Sequence, residues 1–173
     1  LFDLTSGDGN IAIGHRALFD ANTAEFNIAI GKDSLKNLTS GDSNVAIGTD
    51  ALGTPTTAED IIAIGRSAAY AVDNDTADGT VAIGRSALAA LTSGVGATVV
   101  GYQAGDAITG GDYNTAIGYQ ALSTEDTGDR NTAVGYGSLT NVNGANNNAN
   151  TALGFQSGTN VSTGTKNVLL GAG

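Results

Sequence analysis

The phrase Asn-x-Ala-Ile-Gly, or a close variant of it, occurs ten times in 173 residues at nearly constant spacing. Its closing glycines are Gly14, Gly31, Gly48, Gly65, Gly84, Gly101, Gly118, Gly135, Gly154 and Gly171; seven of the nine intervals are 17 residues and two are 19. A unit this short cannot bury a face by itself, so the units must stack on one another as a solenoid. The phrase runs from Asn10 to Gly171 without a break in composition, which predicts one repeat domain over 1–173. Leu1 aligns with Leu18, Leu35 and Leu52 in mid-repeat, so the domain is expected to be a piece of a longer fibre.

Positions are counted from the Asn of each unit as zero. Position 1 holds Ile, Val or Thr, and position 3 is aliphatic in all ten units, as in Ile13, Ile30, Ile47 and Leu153. Between them, position 2 is Ala in eight units, with Val99 and Leu169 as the exceptions. Alternation with period two marks a strand, and the glycine at position 4 ends it. The second half of each unit repeats Ala or Ser at position 7, usually Leu at position 8, and another aliphatic residue three further on. Seventeen residues leave too little room for a stable helix, so a second short strand is expected there. The fold class is therefore all-β: a parallel β-roll or β-solenoid of about ten coils of 17–19 residues. The aliphatic position 3 is expected to point into a thin core. The Ala column then lies outside as an apolar stripe, a surface that other copies would cover.

Seven units begin with Asn10, Asn27, Asn44, Asn114, Asn131, Asn150 and Asn167, while Ile61, Thr80 and Ala97 interrupt the column. Stacked coils would set these amides ~4.8 Å apart, within reach of each other as a structural ladder. Ten coils at that spacing make a rod ~45–50 Å long.

The formal net charge of −10 argues against a nucleic-acid partner and against contact with anionic membranes, both of which call for a basic footprint. There is no Cys and one His, His15, so neither a thiolate site nor a histidine triad for a metal is expected, and no cofactor. Asp8, Asp42, Asp112 and Asp129 stand in Gly-containing turns, where Asp serves backbone geometry. No catalytic constellation emerges, and the chain is not expected to be an enzyme.

The repeated Asn-[Ile/Val/Thr]-Ala-Ile-Gly followed by Ala or Ser resembles the head repeats of trimeric autotransporter adhesins, the YadA-like class. The run Asn-Thr-Ala-Ile-Gly-Tyr-Gln-Ala-Leu from Asn114 to Leu122 is also similar to bacterial and phage fibre repeats. The resemblance covers essentially the whole chain. It implies a left-handed β-roll, a homotrimer, and an extracellular place on a cell-surface fibre, outer-membrane-associated, or on a virion fibre. Its implied partners are glycans or proteins of a target cell. The family's repeat is usually shorter than these coils, so the strand phrase transfers and the outer loops do not.

Position 5 reads His15, Lys32, Thr49, Arg66 and Arg85, then Tyr102, Tyr119, Tyr136 and Phe155. Four aromatics in a row could bind sugars through their faces, with Gln103, Gln120 and Gln156 as hydrogen-bonding neighbours. The alternative is a stacking ladder that stiffens the rod. The two longer units carry Asp73-Asn74-Asp75-Thr76-Ala77-Asp78-Gly79 and 143–148. The first offers oxygen ligands for calcium, but its spacing misses the EF-hand pattern, so a solvated acidic loop is expected. A phage tail-fibre segment is the nearest alternative function. An ice-binding solenoid is a more distant one, because it would want Thr-x-Thr where this chain has Thr-Ala followed by an aliphatic residue.

Overall fold

The computed structural model describes residues 5–72, 77–143 and 148–173. Ten three-residue strands form one parallel sheet in chain order: β1 (Ile11–Ile13), β2 (Ile28–Ile30), β3 (Val45–Ile47), β4 (Ile62–Ile64), β5 (Val81–Ile83), β6 (Thr98–Val100), β7 (Thr115–Ile117), β8 (Thr132–Val134), β9 (Thr151–Leu153) and β10 (Val168–Leu170). Each pairs in register with its neighbour, so Ile11, Ala12 and Ile13 stand opposite Ile28, Ala29 and Ile30. The chain is an all-β parallel β-solenoid of about ten coils, with no helix among the described residues.

The expected second strand does not form. Residues at positions 6 and 8 have positive φ, as at Arg16 (52°), Leu18 (49°), Asp33 (58°) and Leu35 (47°). Left-handed residues two apart break an extended run, so the coil closes through consecutive tight turns. Each such residue costs roughly 1–2 kcal/mol. Hydrogen bonds from one coil to the next offset that cost around the whole perimeter, for example Leu18 N–H to Ser34 O at 3.0 Å and Thr39 N–H to Thr56 O at 2.8 Å.

The facing of the strands is the reverse of the expectation. Ala29, Ala46, Ala63, Ala82, Ala116 and Ala133 are fully buried, whereas Ile13 is 59% and Ile117 40% exposed. The reason is volume. Leu18, Leu35, Leu52, Leu88, Leu122 and Leu139 at position 8, with Leu38, Leu91, Ile108 and Val142 at position 11, fill the interior from the opposite wall. A coil of 17 residues encloses too little space for a second layer of large side chains, so the strand contributes only a methyl group.

The two departures from Ala support this view. Where position 2 grows to Val99, position 8 of the same coil is Gly105, whose added Cβ would lie 3.6 Å from Val99 Cγ2. Where it grows to Leu169, the preceding coil has Gly158, with Leu169 Cδ1 3.4 Å from its would-be Cβ. Val99→Ala alone is expected to cost about 2 kcal/mol through the cavity it leaves, and Gly105→Leu alone about 1–3 kcal/mol through overpacking. Leu tolerates the φ at this position, as Leu88 and Leu122 demonstrate. The double substitution should therefore recover most of the lost stability in thermal melts; additive losses would contradict the volume exchange.

One coil places a carboxylate where the others place an aliphatic residue or, once, Pro55. Glu125 at position 11 is fully buried. It accepts hydrogen bonds from the Gly128 N–H (2.8 Å), the Asp126 N–H (3.1 Å) and Asn148 Nδ2 (2.8 Å). Asn148 lies in the following coil, so the pair ties one specific coil to the next.

Candidate functional site: the sheet face and its flanks

The outer face of the sheet carries positions 1 and 3 of every coil. These twenty residues are sixteen aliphatic side chains and four threonines, with no charge. Behind them, the Asn column is bonded along its length and buried except at its ends, Asn10 and Asn167, which are half-buried. Asn27 Nδ2 and the Asn27 N–H both donate to Asn10 Oδ1, at 3.2 and 2.9 Å, and Asn44 repeats this on Asn27. A second run continues through Asn114, Asn131, Asn150 and Asn167. Several amides also donate to a carbonyl 14 residues on, such as Asn44 Nδ2 to Ala58 O at 2.6 Å, closing the coil against its own return turn. In the interruption, Ile61, Thr80 and Ala97 are buried. The Ile61 N–H still donates to Asn44 Oδ1 at 3.1 Å.

The trailing flank of the face is position 5. Tyr102, Tyr119, Tyr136 and Phe155 stack ring on ring, with centroids 5.3, 5.0 and 5.3 Å apart and planes within 16° of parallel. The Arg85 guanidinium covers the other face of Tyr102 at 5.5 Å. The ring faces are thus occupied by one another, and no sugar fits between rings at that separation. Of the two readings of this row, the rings adopt the stacking ladder, and sugar binding through those faces is not available inside it. What the ladder presents outward is ring edges and a file of tyrosine hydroxyls. Gln120 Nε2 donates to Gln103 Oε1 at 3.3 Å, so the neighbouring amides form a short ladder of their own.

Further along the trailing flank, Asp33 lies between Arg16 Nε (2.6 Å) and Lys32 Nζ (2.5 Å). The Arg16 guanidinium, followed by the Lys32 ammonium, holds its carboxyl well below the usual carboxylate range. Arg66 and Arg85 are exposed, with no ion pair among the described residues.

The leading flank has a feature that inspection of turns alone missed. Position −2 is Asp8, Glu25, Asp42, Glu59, Asp78, Asp112 and Asp129 in seven of the first eight coils. The carboxylates run down the edge of the sheet: Asp42 accepts from the Glu25 N–H at 2.7 Å, Asp112 from the Val95 N–H at 3.1 Å, and Asp129 from the Asp112 N–H at 3.0 Å. Stripped of its phase relative to Asn, each looks like an isolated turn residue.

Exposed aromatics outside the ladder also follow a rule. A methyl group on Gly9 would stand 2.6 Å from the Phe26 ring, one on Gly53 2.7 Å from Tyr70, and one on Gly96 3.0 Å from Tyr113. Each ring lies across the glycine 17 residues earlier and shields backbone that has no side chain of its own.

Of the loop considered for calcium, 73–76 lie outside the described residues, as do 144–147 of the other long unit. Among the described residues no three His, Cys, Asp or Glu side chains gather where a metal could bind, and no helix is long and apolar enough to cross a membrane. Compared with known proteins, the chain matches no family model, no curated protein and no solved structure.

Proposed function

We propose that this chain is a segment of a homotrimeric surface fibre, a left-handed β-roll that adheres to glycans or proteins of a target cell by multivalent contact. The observation that carries the proposal is the uncharged outer sheet face, sixteen aliphatic residues and four threonines along a rod ~45 Å long. An apolar surface of that extent is a place for association, because burying one Ile or Val side chain is worth ~1.5–3 kcal/mol. Three as the copy number rests on the resemblance to adhesin head repeats. Packing copies about a common axis covers the faces and leaves the flanks and return turns outward. Identical flanks on every copy then raise avidity for repetitive ligands. The same physics would serve a bacterial surface fibre or a phage tail fibre.

The ligand groups are the hydroxyl edges of Tyr102, Tyr119 and Tyr136, the edge of Phe155, and the amides of Gln103 and Gln120. Tyr119→Ala combined with Tyr136→Ala should abolish binding on a glycan array. The double variant removes all three stacked pairs, each worth ~0.5–1.5 kcal/mol, so the assembly should melt lower while remaining folded at the temperature of the binding assay. Undiminished binding by the double variant would remove the ladder from the ligand site.

One observation favours a second function. Thr98, Thr115, Thr132 and Thr151 occupy position 1 of four consecutive strands on the outer face, paired in register. A flat file of threonines is the kind of surface that orders water against ice. Thermal hysteresis in the intact chain would favour ice binding over adhesion.

A further inference from the structure

We infer that the trailing flank takes acidic saccharides, with a sulfate or carboxylate of the glycan held between the guanidinium groups of Arg66 and Arg85. This rests on the reading of the flank as a glycan-binding surface and adds the chemical class of the ligand.

The hexapeptide Ala-Ile-Gly-Arg-Ser-Ala occurs twice, at 63–68 and 82–87, in consecutive coils. β4 and β5 pair in register, with Ile64 opposite Ile83, and the Ser86 N–H donates to Arg66 O at 2.9 Å. The two arginines therefore leave the sheet level with each other, their backbones one strand spacing of ~4.8 Å apart. Both are exposed. Like charges opposite one another on neighbouring strands oppose the pairing of those strands. An acid group set between them turns that repulsion into two attractions. Each guanidinium presents its N–H groups as a planar fork, suited to the paired oxygens of an acid.

The start of the same flank shows the contrasting, self-neutralised arrangement. There Asp33, at position 6, lies between Arg16 and Lys32 and pairs with both. In coils four and five, position 6 is Ser67 and Ser86, so a neutral hydroxyl replaces the competing carboxylate. Neither Arg66 nor Arg85 has an ion pair among the described residues, although the chain holds seventeen acids and Asp50 stands in the coil before Arg66. The Arg85 guanidinium lies over the Tyr102 ring at 5.5 Å, which joins the cationic pair to the head of the aromatic ladder. A saccharide whose acid meets the arginines is thereby placed to set its ring hydroxyls against Gln103 and the tyrosine hydroxyls of the coils that follow. The net charge of −10 repels an acidic polymer from afar, but the acidic column runs along the opposite flank of the sheet. At physiological ionic strength its field is largely screened beyond about 8 Å.

Titration calorimetry at physiological salt tests this with size-matched oligosaccharides: a heparin fragment bearing sulfates and carboxylates, a hyaluronan fragment bearing carboxylates alone, and neutral dextran. The intact chain should bind one or both acidic probes about tenfold or more tighter than dextran. The better of the two identifies the preferred acid. Arg66→Gln with Arg85→Gln should abolish that preference, with dextran affinity unchanged. Lys36→Gln with Lys166→Gln makes the same change in net charge away from the pair, and should alter acidic-probe affinity by less than about twofold. Both arginines are exposed, so the arginine variant should melt no lower than the unaltered chain. Equal losses in the two double variants, or undiminished acidic binding in the arginine variant, would overturn the inference. A chain that binds neutral glycans on an array as tightly as acidic ones would overturn it and leave glycan adhesion standing. A chain that binds no glycan at all would remove the reading on which it rests.

Discussion

Gly84→Ala is expected to unstack the rod at its fifth coil. The new Cβ would stand 2.2 Å from the carbonyl oxygen of Gly101 in the next coil, on a backbone whose φ is +135°. The same approach recurs down the column, where a Cβ on Gly14, Gly31, Gly48, Gly65, Gly101, Gly118, Gly135 or Gly154 would meet the next glycine's backbone at 2.2–2.6 Å. Neither problem has an easy escape. The obstructing atom is backbone, held by a sheet ladder in which the Gly84 N–H donates to Ile64 O at 2.7 Å and the Gly101 N–H to Ile83 O at 2.8 Å. Backbone strain of ~1–3 kcal/mol and overpacking of similar size add to about 3–5 kcal/mol. Since coils are stabilised by their neighbours, the loss should spread on both sides of the substitution. A thermal melt of Gly84→Ala close to that of the unaltered chain would mean that the coils do not approach as closely as described.

The second large effect separates inside from outside at adjacent residues. Ala46→Asp is expected to unfold the central coils, because Ala46 is fully buried among leucines and an unpaired carboxylate cannot be accommodated there. A loss above about 4 kcal/mol is expected, in the range reserved for buried unpaired charge. Ile47→Asp, one residue on, should leave the fold of each chain intact and act on association instead, since Ile47 faces outward beside Ile30 and Ile64. Circular dichroism and sedimentation on the two variants would show the difference. Equal unfolding by both would mean that the strand has no single outward face.

Much of this architecture was legible from residue spacing. The ten strands fall where Asn-x-Ala-Ile-Gly occurs, the glycine column ends each of them, and the Asn column lies where stacked amides can reach one another. The orientation of the strands was misread for an instructive reason. A large aliphatic residue alternating with a small one normally puts the large one inside, because sheets usually face a roomy core. Here the interior is only as wide as a 17-residue coil, and the leucines after the turn already occupy it. The sequence does carry the clue, in the constancy of Ala at position 2 and in the exchanges of Val99 with Gly105 and Leu169 with Gly158. Reading it requires treating volume across the coil as conserved. The second strand was expected because a coil this short has no room for a helix; the turns that replace it were not legible because the left-handed residues at positions 6 and 8 are often Leu, Ser and Gln, which carry no local signal for that conformation.

The flanks were partly legible. The switch at position 5 from basic to aromatic residues was plain, and its regular spacing already offered a stacking ladder beside a sugar platform; the ring planes and separations decide between them. The acidic column at position −2 was obscured because each Asp has an adequate local explanation in its turn. Only the common phase, two residues before the Asn, shows that the acids form one edge. Glu125 gives no sign of burial in its local context, Thr-Glu-Asp-Thr-Gly. Its position, eleven residues after Asn114, is what places it among the core aliphatics.

The most direct test is the mass of the intact chain in solution, measured by sedimentation equilibrium over a wide concentration range at low salt. A species of three times 17.1 kDa is expected, persisting on dilution because the outer sheet face is buried at its centre, and giving way to a folded single chain in Ile47→Asp. A stable, non-aggregating single chain of 17.1 kDa at every concentration would contradict association through that face.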